Sequence, residues 1–319
     1  MIKNNSSKNS SKDQSILDIV ICGPDYSGTS TQVGDAIQFL KQQGLRVKDL
    51  RGNEVDAFFH TEQFQKLYSK FTSLKDAENF YPAPNLRDYF RSELRRGNIA
   101  AAVKAKNFSH INPNSADVFV MEEPTYRGSG MDIRSSLLYA SQLKSEISPT
   151  TKAQAYAFDR LKEYNRFRKF FRKAGKIILR SRSEESACYQ IFDKDYLKDG
   201  IAQRDYLSLE GNKVAFANPP THIISVSGKE DWTIKDMIAL REERNKNRDA
   251  DDHEKDPHFQ LMINKRYANH WLDNLYQSGC PKDTALPQID KLYIKDSRKN
   301  IRLQIEGILD SALKEYGWK

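Results

Sequence analysis

The feature that most constrains the fold of this chain is an apolar strand followed at once by a glycine-rich turn and an amphipathic helix. Ile16 to Cys22 is a β-branched run, typical of strands buried on both faces of a parallel sheet. The turn Gly23 to Gly28 follows, and a helix beginning near Thr29 has helical apolar spacing until Gly44 ends it. This order points helix-terminal N–H groups at the turn, which is the arrangement that binds a phosphate.

Short apolar runs alternate with amphipathic helices along the rest of the chain. The predicted strands are residues 16–22, 45–50 or 117–121, 176–180, 221–226 and 291–295. A long helix is predicted over 152–173, with an apolar side formed by Tyr156, Phe158, Leu161, Tyr164, Phe167, Phe170 and Phe171. Such alternation predicts an α/β fold in three layers, with a five-stranded parallel sheet between helices.

The organisation of the chain is predicted from its composition and its breaks. Residues 1–14 contain no apolar stretch and are expected to form a flexible tail before one domain over 15–319. Residues 52–115 are interpreted as an aromatic-rich helical insertion that packs beside the active site or at a dimer interface, and we expect a homodimer. No apolar run is long enough to span a membrane, and three widely spaced cysteines fit a reducing compartment, so the predicted location is cytoplasmic.

The positive charge of the chain is concentrated in one segment. The formal charge is +8, and residues 160–182 contain ten Lys or Arg against the single acid Glu163. The remainder of the chain is close to neutral, so the sequence does not predict a basic surface that binds nucleic acid over the whole protein. A local anion site or a solvated basic helix face is the expected role of this segment.

The glycine-rich turn has the spacing of a phosphate-binding loop but not its lysine. In Gly23–Ser30 two glycines stand five residues apart and Ser30 can ligate Mg²⁺, while Thr29 occupies the lysine position. Backbone N–H groups and the helix dipole would still bind a phosphate, but the charge that bridges the β- and γ-phosphates is missing. A plain turn capped by Thr29 or Ser30 is the alternative reading.

Five motifs then occur in the order expected for one family. They are Gly23-Pro-Asp25-Tyr-Ser-Gly28-Thr-Ser30-Thr31-Gln32, Glu123-Pro124 through Ile133-Arg134, Ala155-Tyr-Ala-Phe-Asp159-Arg160, Gly175 through Arg182 to Tyr189-Gln190, and the charged stretch from Ala239 to Glu254. Together they resemble the thymidylate kinase family of P-loop nucleoside monophosphate kinases, with the last motif corresponding to its LID, here 241–257. The resemblance covers most of the chain except the tail, the insertion and residues near 191–220.

The resemblance implies an enzyme that uses Mg²⁺ and transfers the γ-phosphate of ATP to a deoxynucleoside monophosphate, with dTMP as the first candidate. It implies that ATP phosphates are bound by Gly23, Ser27, Gly28, Thr29, Ser30, Thr31 and Arg241, with Mg²⁺ on Ser30. It implies a substrate site formed by Asp25, Glu123, Pro124, Arg127, Arg160, Arg182, Tyr189 and Gln190. The residues it implies for catalysis are Asp25, Arg182, Arg244 and Arg248.

Three departures from the family pattern alter the charges of this site. Thr29 replaces the loop lysine, Glu122 stands where the family has an arginine, and Ser181 replaces the aspartate of an Asp-Arg pair. Phosphoryl transfer depends on positioned charge, so each change removes or reverses an electrostatic component of the reaction.

Three functional hypotheses follow. The first is an active kinase in which an arginine, from the LID or Arg127, replaces the lysine. The second is a catalytically impaired nucleotide-binding or regulatory protein with the same fold. The third, least favoured by the motifs, is a nucleic-acid partner that uses the arginines and aromatic residues near 87–96.

Overall fold

The computed structural model describes residues 16–52, 111–125, 130, 133–134, 148–192, 200–244, 256–294 and 297–319. Its strands are β1 (Leu17–Cys22), β2 (Val47–Asp49), β3 (Val118–Glu122), β4 (Ile177–Ser181), β5 (His222–Ser227) and β6 (Gln288–Tyr293). Its helices are α1 (Thr29–Gln42), α2 (Pro149–Glu163), α3 (Lys169–Lys173), α4 (Gln203–Ser208), α5 (Glu210–Phe216), α6 (Ile234–Arg244), α7 (Pro257–Ala268), α8 (Trp271–Gly279) and α9 (Arg298–Glu315). Short 3₁₀ helices cover Pro113–Ser115 and Glu184–Tyr189.

All the described strands form one parallel sheet in the order β2-β3-β4-β1-β5-β6. The α/β class and the parallel sheet are confirmed, but the expected number of five strands is wrong, because the described sheet has six. Residues 45–50 and 117–121 were alternatives for one position, and both contribute a strand. The first supplies only the three residues of β2, which pair with β3 at the edge of the sheet.

Strand β1 is fully buried because helices cover both of its faces. Its alternate residues Leu17, Ile19 and Ile21 pack in the same apolar cluster as side chains of α1 and α9. Val20 and Cys22 point the other way and share a cluster with side chains of α7 and α8. The continuous apolar run in the sequence therefore reflects burial on two faces, as expected for a central parallel strand.

The order of the strands creates a switch point at the carboxyl end of β1. From β1 the chain passes through α1 to β2 on one side, whereas from the adjacent β5 it passes to β6 on the other side. In open α/β sheets, ligands bind in the crevice that forms where neighbouring connections diverge in this way. The glycine-rich loop Gly23–Ser30 begins at this crevice.

The predicted long helix contains a π-helical turn. Helix α2 continues through the π turn Tyr164–Arg168 into α3. The predicted apolar side is correct for Phe167 and Phe171, which are buried, but wrong for Phe158 and Phe170, which are 59% and 50% exposed. A π turn holds more residues than an α turn, so a uniform helical period cannot describe both halves.

Much of the basic segment is used inside the protein. The fully buried carboxylate of Asp18 on β1 accepts hydrogen bonds from Arg168 at 2.8 Å, Arg172 at 2.9 Å and Arg180 at 2.9 Å. Burial alone would raise the pKa of Asp18, but the three arginines outweigh it and lower the value to about 2. These three arginines and Asp18 thus form a structural ion cluster, a role of the basic segment that was not predicted.

Several predicted regions lie outside the described residues. They are the tail 1–14, most of the insertion 52–115, and the LID-like segment between Arg244 and Asp256. None of the described helices is both long and apolar enough to cross a lipid bilayer.

Candidate functional site

The glycine-rich loop is a compact turn held by hydrogen bonds to its backbone carbonyls. The Ser27 N–H donates to the carbonyl of Pro24 at 3.2 Å, and the side-chain amide of Gln32 donates to the carbonyl of Ser27 at 2.8 Å. Gly28 has φ 80°, a left-handed conformation that glycine adopts without steric cost, and α1 starts at the next residue. The chain therefore turns sharply from the end of β1 into the first turn of α1.

Close approach of the neighbouring strand β5 explains the first glycine of the motif. A Cβ atom on Gly23 would clash with the carbonyl oxygen of Val226 on β5 and would lie 2.6 Å from the Ser27 hydroxyl. Among the described residues, the non-glycine positions with positive φ are Tyr26 at 66° and Arg182 at 62°. Strained backbone of this kind clusters at functional sites, and the two residues are linked through Asp25, which precedes Tyr26 and pairs with Arg182.

The first turn of α1 can accept an anion. The earliest intrahelical bond runs from the Gln32 N–H to the Gly28 carbonyl at 3.0 Å, so the preceding N–H groups have no acceptor within the helix. No acidic residue lies in this turn. Thr29, at the lysine position, is buried, whereas the side chains of Ser30 and Thr31 are exposed. The helix terminus therefore offers N–H groups, about half a positive charge and two hydroxyls.

Asp25 connects this loop to the neighbouring strand. One of its carboxylate oxygens accepts a hydrogen bond from Arg182, just beyond β4, at 2.6 Å. The other accepts one from the side-chain amide of Gln260 on α7 at 2.9 Å. The guanidinium of Arg182 also lies 5.1 Å from the centre of the Tyr189 ring. The structure thus brings three predicted site residues, Asp25, Arg182 and Tyr189, into one cluster.

Two more predicted substrate residues, Glu123 and Arg160, belong to a buried network near this cluster. Arg160 donates through Nε to Glu123 at 2.9 Å and makes a second hydrogen bond to the same carboxylate through Nη2. Its Nη1 donates to the Tyr206 hydroxyl at 3.2 Å and to the side chain of Asn212. Four hydrogen bonds within the protein therefore hold Arg160.

The segment around Pro124 is fixed from two sides. Asp159 accepts hydrogen bonds from the Thr125 N–H at 2.9 Å and from its hydroxyl at 3.0 Å. Arg134 donates to the Pro124 carbonyl at 2.8 Å and to Glu122 at 3.3 Å. Glu122, the charge reversal noted in the sequence, therefore pairs with Arg134 within the protein.

A small cavity joins the two groups of residues. It lies at the carboxyl ends of β3 and β4 and is lined by Glu123, Asp159, Arg160, Arg180 and Arg182, among others. Burial raises the pKa of Glu123 even though Arg160 opposes the rise. The lining of the cavity therefore combines acidic and basic groups.

Beyond Tyr189, the remaining predicted residues are less closely tied to this cluster. The Tyr189 ring packs against Phe259 at 6.0 Å between centroids, and Gln190 is buried just after it. Arg241 is half-buried on α6, and Arg244 is the last residue of that helix. Arg127 and Arg248 lie outside the described residues.

The residues near the loop fit Mg²⁺ only in a site completed by phosphates. No group of three or more His, Cys, Asp or Glu suited to a metal occurs among the described residues. Mg²⁺ commonly takes one or two protein ligands and completes its shell with phosphate oxygens and water. The exposed Ser30 hydroxyl would be one such protein ligand.

Gln260 is a site residue that the sequence did not indicate. It lies 235 positions from Asp25 and has no motif around it. In the sequence, the one indication of a role for Gln260 is that it lies in the helix that follows the LID-like segment.

Comparison of the chain with protein-family models and with curated proteins found no match. The resemblance to thymidylate kinases therefore depends on the motifs and stays a prediction.

Proposed function

We propose that this chain is a divergent P-loop nucleoside monophosphate kinase that transfers the γ-phosphate of ATP to a deoxynucleoside monophosphate, with dTMP the first candidate. The observation that carries the proposal is the contact between Asp25 of the phosphate loop and Arg182 at the end of β4. This contact unites the loop suited to the ATP phosphates with the strand that carries candidate acceptor residues. Phosphoryl transfer requires that the two sites meet in this way.

In the proposed reaction, the N–H groups at the start of α1 bind the ATP phosphates. Ser30 ligates Mg²⁺, Asp25 orients the acceptor, and Arg182 faces the acceptor phosphate. An oxygen of that phosphate forms a bond to the γ-phosphorus while the bond to the β–γ bridging oxygen breaks. ADP then leaves, and the acceptor becomes a diphosphate.

The charge missing at Thr29 must come from another cation. We propose an arginine, since its guanidinium binds phosphate bidentately and stays protonated. Arg127 and the LID residues Arg241, Arg244 and Arg248 are the candidates, because their motifs adjoin the expected position of the γ-phosphate.

A second candidate function is nucleotide binding without transfer. Its specific support is the engagement of Arg160 by Glu123, Tyr206 and Asn212, which leaves this arginine little capacity for an acceptor phosphate. The absence of the loop lysine is consistent with the same reading.

One panel of assays separates the two candidates. Purified protein is incubated with ATP, Mg²⁺ and each nucleoside monophosphate in turn, and ADP release is measured beside equilibrium binding of ATP. A kinase releases ADP only with its acceptor, whereas a binding protein takes up ATP and releases none with any acceptor. A protein that does neither would contradict both candidates.

A further inference from the structure

Helix α7 contacts both loops at the switch point. Gln260 and Asn264 lie four positions apart, on the same side of the helix, and both are buried. Gln260 donates to Asp25 in the loop after β1 at 2.9 Å. Asn264 accepts from the Gly228 N–H at 2.6 Å and donates to the Lys229 carbonyl at 3.2 Å, in the loop after β5. Two side-chain amides of α7 therefore bridge the crevice.

We propose that Gln260 is a positioning residue that holds the Asp25 carboxylate in the orientation required for the acceptor. The inference rests on the proposed function, since Asp25 is assigned its role there. Gln260 acts through Asp25 and is not assigned a contact with substrate.

The physical reason lies in the competition for Asp25. Arg182 contacts a single Asp25 oxygen, through Nη2 at 2.6 Å, while Gln260 occupies the other. Arginine and carboxylate groups readily form bidentate pairs, with two parallel hydrogen bonds. Without Gln260, the second oxygen of Asp25 is free to rotate towards Arg182. In such a pair the charges of Asp25 and Arg182 would neutralise each other and would not be available to the ligand. By occupying the second oxygen of Asp25, Gln260 keeps the contact with Arg182 monodentate.

Gln260 is well placed to impose this geometry. Its side chain is 1% exposed, so it has little freedom to move, whereas the Asp25 side chain is 18% exposed and accessible to a ligand. The amide is neutral and donates a hydrogen bond to Asp25 without competing for its charge. A glutamate at this position would have the same shape but, when ionised, would repel Asp25.

The kinetic test uses Gln260→Ala and Gln260→Glu, with Gln154→Ala, an exposed glutamine on α2, as control. A misplacement of about 1 Å can cost about a hundredfold in rate, so we expect Gln260→Ala to lower kcat about 10- to 100-fold with little change in the KM for ATP. Gln260→Glu should be equally slow at alkaline pH and recover as pH falls, because a protonated glutamate can again donate to Asp25. A kcat at the control level in Gln260→Ala, or a Gln260→Glu rate without this recovery, would overturn the proposal.

A second measurement does not depend on turnover. The side-chain amide resonances of Gln260 are identified by their loss in Gln260→Ala and are then compared between the wild type and Asp25→Ala. A clear shift supports the contact, and unchanged resonances overturn it. A wild type without phosphotransfer to any acceptor would refute the proposed function, while this comparison would still decide whether Gln260 holds Asp25.

Discussion

Glu185 is a buried carboxylic acid whose ionisation should control the stability of the protein. Its side chain is fully buried, and neither carboxylate oxygen has a hydrogen-bond partner among the described residues. Burial, followed by the negative charges of Glu123 and Glu184, raises its pKa from 4.5 to about 8. The folded protein therefore retains a proton at Glu185 that the unfolded chain releases.

The sign and size of the effect follow from this difference. Between pH 4.5 and about 8 the folded state binds one more proton than the unfolded state, so the free energy of unfolding falls as pH rises. The loss is about 1.4 kcal/mol per pH unit, or about 4 kcal/mol from pH 5 to pH 8. Above the folded pKa no further loss arises from this group.

The variant Glu185→Gln removes this titration while keeping the shape of the side chain. Urea unfolding of the wild type, Glu185→Gln and the exposed control Glu230→Gln is measured at pH 5 and pH 8. We expect the wild type and the control to lose about 4 kcal/mol more than Glu185→Gln over this interval. A buried amide without partners costs about 1–3 kcal/mol at both pH values, so the difference between pH values is the decisive quantity. Equal pH dependence in all three proteins would refute the reasoning.

Three further predictions concern the ion cluster, the loop glycine and the missing lysine. Asp18→Asn should lower the free energy of unfolding by about 3–5 kcal/mol in urea titrations, because it removes the buried carboxylate that three arginines share. Arg302→Ala, in a helix-surface pair, should leave the free energy of unfolding almost unchanged. Gly23→Ala should weaken ATP binding and lower the free energy of unfolding by about 1–3 kcal/mol, because its Cβ would clash with Val226. Gly34→Ala, in α1 with open space around its Cβ, should instead raise the free energy of unfolding by about 0.5–1 kcal/mol. Equal stabilities of the two variants would contradict the close approach of Gly23 to β5. One arginine is expected to replace the lysine, and the candidates are Arg127, Arg241, Arg244 and Arg248. Its substitution by alanine should lower kcat about a thousandfold with little change in ATP affinity. Thr29→Lys should leave kcat equal or slightly higher. Four alanine variants with unchanged kcat would refute the replacement of the lysine by an arginine.

The sequence was most informative where the pattern was local. The buried run of β1, the turn to Gly28 and the start of α1 at Thr29 were predicted within one residue, because each depends on neighbouring residues. The sixth strand was not predicted, because residues 45–50 and 117–121 were treated as alternatives for one position, and β2 has only three half-buried residues. The π turn was also missed, since no composition distinguishes it from α-helix.

The site was predicted in part for the same reason. Asp25, Arg182 and Tyr189 stand in motifs, and they meet because parallel strands end at one edge of the sheet. Gln260 was not predicted, since its contact with Asp25 joins distant parts of the chain. The ion cluster around Asp18 was missed because a basic segment gives no sign of which arginines point inward. The roles of Arg160 and the LID arginines stay predictions.

The central claim is that a phosphoryl group moves from ATP to an acceptor at the edge shared by β1 and β4. The most direct test uses ATP labelled at the γ-phosphate, Mg²⁺ and the nucleoside monophosphate that gives the highest ADP release in the panel of assays. We predict that the label appears on the diphosphate product with the wild type, and that Asp25→Asn slows its appearance about a hundredfold or more. Label that remains in ATP, or appears only as inorganic phosphate, would contradict the claim.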